Sequence, residues 1–116
     1  MIKVYQIQLT NAEIDMINDG ETSDRIKAYF DRSFEGKFKA ENFQYYTHVA
    51  TVDTRDMEEA FKCMNLWHND KVQKVTSTVS SMSVGDILEY NGQLYYCASF
   101  GFELLANYQK DWLCLR

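Results

Sequence analysis

Asparagine followed by glycine, at Asn91-Gly92, separates two segments rich in aromatic and branched residues: Ile87-Leu88-Glu89-Tyr90 and Gln93-Leu94-Tyr95-Tyr96-Cys97-Ala98. A two-residue type I′ turn needs positive φ at both central positions, and Asn-Gly meets that need at least steric cost. The pair predicts a tight β-hairpin, which commits this part of the chain to antiparallel pairing. Phe100-Gly101-Phe102 then breaks the second strand, since glycine between two rings suits a kink with rings packed on both faces. Glu103 to Leu113 reads equally as a helix or a strand.

Upstream, Ile2-Lys3-Val4-Tyr5-Gln6-Ile7-Gln8-Leu9 alternates apolar and polar positions as a strand does, with a slip at Tyr5-Gln6-Ile7. Thr10-Asn11-Ala12-Glu13 matches a capping box, in which the hydroxyl and the carboxylate satisfy free amides of a helix start. It predicts a short helix through Asn18, with Ile14 and Ile17 inward and Asp19-Gly20 as its stop. A second helix begins at Thr22 or Ser23, with Ile26, Tyr29, Phe30 and Phe34 at helical spacing. Gly36 and the polar stretch to Asn42 read as a loop, and Tyr45 to Val52 as a strand. Thr54 is the expected N-cap of the best-patterned helix, where Met57, Ala60, Phe61 and Met64 form an apolar stripe behind Asp56, Glu58 and Glu59. Residues 71–83 are polar and weakly patterned, with Val72, Val75 and Val79 as anchors; periodicity does not decide their order. No repeat, low-complexity tract or boundary divides the chain. The expectation is one α+β domain over residues 1–116, a small mixed sheet with a C-terminal β-hairpin packed against two or three helices.

Composition narrows the function. At 116 residues and 46% hydrophobic content the chain suits a single packed domain. A net charge of −5 disfavours broad phosphate-neutralising contact with nucleic acid and attraction to an anionic membrane surface. No apolar run approaches the roughly 20 residues of a spanning helix, and the first residues lack the apolar segment of a secretory signal. Cys63, Cys97 and Cys114 are odd in number and scattered, which fits reduced thiols in a cytoplasm rather than a disulfide framework.

A particular series of residues carries more. Tyr46-Thr47-His48-Val49-Ala50-Thr51-Val52 is followed by Asp56-Met57-Glu58-Glu59-Ala60-Phe61 and Asn65. Ser80-Ser81-Met82-Ser83-Val84-Gly85-Asp86-Ile87 and Tyr95-Tyr96-Cys97-Ala98-Ser99-Phe100-Gly101-Phe102 close it. Over roughly residues 45–105, with a fainter echo at Tyr5-Gln6-Ile7, this resembles the YodL-like domain, a small module of bacteriophages and conjugative elements. The family pattern more often has Ser where Gly85 stands and an acidic residue at Ala98. The resemblance implies a phage or mobile-element accessory protein in a bacterial host cytoplasm, with no reaction and no catalytic residues to carry over. Gly85 permits a turn or bulge that a side chain would block, and Asp86 can accept from nearby backbone amides.

Catalytic constellations are weak. His48, Cys63, His68, Cys97 and Cys114 show no paired metal-ligand spacing; Cys63 and His68, at i and i+5, are a poor same-face pair. Neither Cys63 nor Cys97 sits beside a base as a nucleophile requires, and no glycine-rich phosphate loop exists. No catalytic residue, metal site or cofactor is expected. Glu13, Asp15, Asp19, Glu21 and Asp24 (the acidic 13–24 stretch) precede Arg25, Lys27, Arg32, Lys37 and Lys39 (the basic 25–39 stretch). They read either as solvated helix faces, or as a DNA mimic and a nucleic-acid contact. Seven Phe, eight Tyr and two Trp exceed what a small core needs, so some should face solvent or a partner. Trp67, Tyr95, Phe100, Phe102 and Trp112 are the candidate partner-binding residues, and Gly85, Asp86, Asn91, Gly92 and Gly101 the structural turn residues. The leading expectation is a non-enzymatic protein that binds a host or element-encoded protein, as an anti-defence or host-takeover factor does. The alternative is nucleic-acid binding or mimicry.

Overall fold

Six strands form one sheet around the N-terminal strand, in a computed structural model that describes residues 1–34, 40–66, 70–76 and 78–105. In chain order the elements are β1 (Ile2–Ile7), α1 (Asn11–Asn18), α2 (Asp24–Phe34), a 3-10 turn at Ala40–Tyr45, β2 (Tyr46–Val52), α3 (Met57–Met64), β3 (Val72–Lys74), β4 (Ile87–Tyr90), β5 (Gln93–Cys97) and β6 (Phe102–Leu104). The sheet order is β3-β2-β1-β4-β5-β6. The α+β class and the C-terminal hairpin packed with helices agree with the sequence reading. The sheet is not mixed, however: all five pairings are antiparallel.

Local chemistry explains most boundaries. Asn91 and Gly92 both take positive φ, 53° and 73°, as a type I′ turn requires, and pair Tyr90 with Gln93. At α1 the Thr10 hydroxyl accepts from the Glu13 amide at 3.1 Å, and the Glu13 carboxylate accepts from the Thr10 amide at 3.1 Å. The capping box is complete, yet the helix is shallow: Ile14 is 46% exposed and no α1 residue is buried, so the inward face expected there does not form. Among the described side chains of α2, Ile26 and Ala28 are buried, while Phe30 stays 40% exposed against the ring of Tyr29. The cap of α3 is Asp56, whose carboxylate accepts from the Glu58 amide at 3.0 Å; Thr54 instead accepts from the Asp56 amide and shapes the turn before it. The polar 71–83 stretch contributes β3, an edge strand of three residues.

The two faces of the sheet are covered by different helices. One carries Ile2, Val4, Ala50, Val52, Leu88 and Cys97 beneath α3, whose Ala60, Cys63 and Met64 are buried there. The other carries Tyr5, Ile7, Tyr46, Ile87, Leu94 and Tyr96 with Ala28 of α2 and Phe43 of the 3-10 turn. β1 lies at the junction of both cores, so Val4-Tyr5-Gln6-Ile7 is buried without interruption. A strand covered on both faces loses its alternation, which accounts for the slip in the sequence pattern. Opposite it, β2 inserts Val49 as a bulge between Ala50 (opposite Val4) and His48 (opposite Tyr5).

Candidate functional site

Two places in this frame concentrate the residues singled out by sequence. The first is the polar clasp where β1 ends and β4 begins. Ser83-Val84-Gly85-Asp86 is a turn closed by the Asp86 amide donating to the Ser83 carbonyl at 3.1 Å, with Gly85 at φ +96°. A Cβ at Gly85 would stand 2.6 Å from the Arg32 carbonyl oxygen and 2.7 Å from Arg32 Cβ, so α2 packs directly on this glycine. The Asp86 carboxylate, 2% exposed as a residue, accepts from the Ser83 amide and from Gln6 Nε2 at 3.0 Å each, and from Arg32 Nη1 at 3.4 Å. Arg32 Nη1 also donates to the Val84 carbonyl at 2.9 Å and Ser83 Oγ at 3.1 Å. Its guanidinium lies 4.3 Å from the Tyr29 ring centroid, a cation–π distance. Gln6 completes the link: its Nε2 donates to the Ser80 carbonyl and its Oε1 accepts from the Ser80 amide. Tyr46 donates to the Gly85 carbonyl, and Tyr96 to the Arg32 carbonyl at 2.5 Å.

Burial dominates the titration of this cluster. It pushes the Asp86 carboxyl up to about 6, against the Ser83 amide, Arg32 and Gln6, which all favour the ionised form. It raises the Tyr46 hydroxyl, with the Asp86 charge adding to the effect. It also lifts the Cys97 thiol to about 11, so that sulfur is held protonated and not primed as a nucleophile. The clasp ties α2, β1 and the crossover before β4 into one unit; its donors are aimed at protein acceptors apart from Arg32 Nε, which is buried without a hydrogen-bond partner. It is a structural joint.

The second place is the aromatic end of the sheet. Leu88 faces Tyr95, Tyr95 faces Leu104 and Cys97 faces Phe102, so Tyr95, Phe102 and Leu104 share the α3 face. Tyr90, Tyr95, Phe102 and the α3 residue Phe61 pack half-buried at the rim of that core. A groove of about 220 Å³ runs between Phe61, Phe102, Val84 and the Glu58 side chain of α3. The β5–β6 turn is closed by the Ala98 amide donating to the Gly101 carbonyl at 3.0 Å, with Gly101 at φ +76°. This turn carries Phe100 outward at 96% exposure, and Leu104 is 48% exposed. Tyr95, Phe100 and Phe102 are thus brought to one end of the molecule, while Trp67 and Trp112 lie outside the described residues. Leu104 is the member that sequence reasoning missed, because β6 is only three residues long and shows no periodicity of its own.

Other candidates are taken up internally. His48 Nε2 lies 3.0 Å from the Ala50 carbonyl and 3.1 Å from Thr51 Oγ1. Cys63 and Cys97 are buried free thiols. His68 and Cys114 are outside the described residues, among which no cluster of His, Cys, Asp or Glu is placed to hold a metal ion. Of the basic stretch, Arg32 is drawn into the clasp and Arg25 reaches Glu13 and the Gln8 carbonyl; Lys37 and Lys39 are outside the described residues. Glu13 of the acidic stretch serves the α1 cap, which holds its carboxyl below the ordinary value. No helix among the described residues is long and apolar enough to cross a membrane. The fold and the two places define a small antiparallel α+β domain with a polar joint and an aromatic end. No family model, curated protein or solved structure matches the chain.

Proposed function

We propose that this protein is a non-enzymatic docking module that binds another protein through the aromatic end of its sheet. The observation that carries the reading is Phe100, 96% exposed at the turn that the Ala98–Gly101 hydrogen bond closes between β5 and β6, next to the face that Phe102, Tyr95 and Leu104 share. Withdrawing such a ring from water stabilises a complex by about 1.5–3 kcal/mol, which makes it an efficient anchor. What supports a setting in a bacteriophage or mobile element, acting on a host or element-encoded protein in the bacterial cytoplasm, is the resemblance of residues 45–105 to the YodL-like domain. Anti-defence or host-takeover activity is the role that setting suggests.

The test is retention from lysate of phage-infected bacteria on immobilised full-length chain, with matched variants. One protein should be retained in stoichiometric amount by the native chain and by Ile14→Ser, an exposed apolar site on α1, and lost with Phe100→Ser. Equal retention by all three, or none by any, overturns the reading.

A further inference from the structure

The outer edge of β6 has a defined pattern of backbone groups. The Ala98 amide bonds the Gly101 carbonyl at 3.0 Å and the Leu105 amide bonds the Leu94 carbonyl at 2.9 Å. Hydrogen-bonded and non-bonded pairs alternate along an antiparallel ladder, so Tyr96 and Glu103 form the bonded pair between these two. The intervening residues, Phe102 and Leu104, therefore turn their N–H and C=O groups away from β5. Among the described residues nothing pairs with that side, since β6 ends the sheet. The opposite edge differs: β3 carries Lys74 and is flanked by Lys71, and lysines on an edge strand discourage pairing.

The geometry points to β6 as a site of strand addition for an extended partner segment in which apolar residues alternate with lysine or arginine. This deepens the docking role proposed above and rests on it. The side chains of Phe102 and Leu104 lie on the α3 face and would meet the apolar residues of the added strand. Glu103 projects from the opposite face, exposed, and would lie across from the basic one. Charge also selects against a second copy of this chain. In the register that pairs Phe102 with Leu104 of the copy, the two Glu103 side chains fall directly opposite in the closer, non-bonded pair, where like charges repel.

The probe is a terminally blocked hexapeptide alternating valine and lysine, added to the full chain and followed by amide exchange and chemical shift. The Phe102 and Leu104 amides should shift and slow in exchange. A peptide alternating valine and glutamate should bind about threefold more weakly, and Glu103→Lys should invert that preference. N-methylation of the amides facing β6 should cost about tenfold. Equal binding of the methylated peptide, no inversion with Glu103→Lys, or shifts elsewhere overturn strand addition. So does slow exchange of both amides in the free chain; if it depends on concentration, a second copy is the occupant. In the lysate experiment Leu104→Pro removes an outward N–H together with the Leu104 side chain and leaves the bonds to β5. Loss of retention with Phe100→Ser but not with Leu104→Pro would sink strand addition while leaving the docking role intact.

Discussion

Two neighbouring turns, linked by the Gly85 amide donating to the Cys97 carbonyl at 2.8 Å, solve opposite problems with residues that look alike in sequence. At the clasp, Gly85 and Asp86 bring α2, β1 and the crossover together; its polar groups are turned inward and joined, except Arg32 Nε. At the β5–β6 turn, Gly101 lets the chain reverse and leaves Phe100 with almost no protein contact. Both glycines take positive φ, yet a Cβ at Gly101 would meet open space, whereas one at Gly85 would strike Arg32. Stability therefore concentrates at the clasp and an unused apolar surface at the turn beside it.

The largest expected effect is at the clasp. Asp86→Ala strands Arg32, Gln6 Nε2 and the Ser83 amide without their shared acceptor, and should cost about 3–5 kcal/mol in urea unfolding. Gly85→Ala should follow at about 3 kcal/mol, from backbone strain at φ +96° combined with displacement of α2. A cost below about 1 kcal/mol for either would show that the clasp is peripheral. Stability should also depend on pH through Asp86. Its carboxyl titrates at about 6 in the folded chain against an ordinary 3.8, so between those values the folded state binds more protons than the unfolded. That contribution is complete below about pH 4 and is lost as pH rises through 6, at most about 3 kcal/mol. Glu13 and Glu59 are shifted downward at partly exposed sites and act in the opposite sense, so the comparison is native chain against Asp86→Asn, which should lack the decline. The smallest effect is at the β5–β6 turn. Phe100→Ser should leave the unfolding free energy unchanged within about 0.5 kcal/mol.

What was legible in the sequence was what neighbours decide among themselves. The Thr10–Glu13 box, the Asn91-Gly92 turn and the Met57-Ala60-Phe61-Met64 stripe each lie within one or two turns of chain, and each formed where expected. The residues that were misread have distant partners. Gln6 looked like a break in a strand because its partners, Ser80 and Asp86, are 74 and 80 positions away. Arg32 read as part of a basic face, but its acceptors at Val84 and Asp86 lie 52 and 54 positions on. Ile14 kept its helical spacing and still missed the core, because α1 lies over no apolar face of the sheet. At the candidate site, the aromatic surplus singled out Tyr95, Phe100 and Phe102 for partner binding, and the structure places them on β5, on β6 and in the turn between. Leu104 and the outward backbone of β6 depend on the register with β5, which no local pattern specifies.

The division between a structural joint and a docking end is tested most directly by partner retention on Phe100→Ser at matched folded concentration. Retention should fall about tenfold or more while the unfolding midpoint stays at the native value. Undiminished retention, or retention lost together with stability, would contradict it.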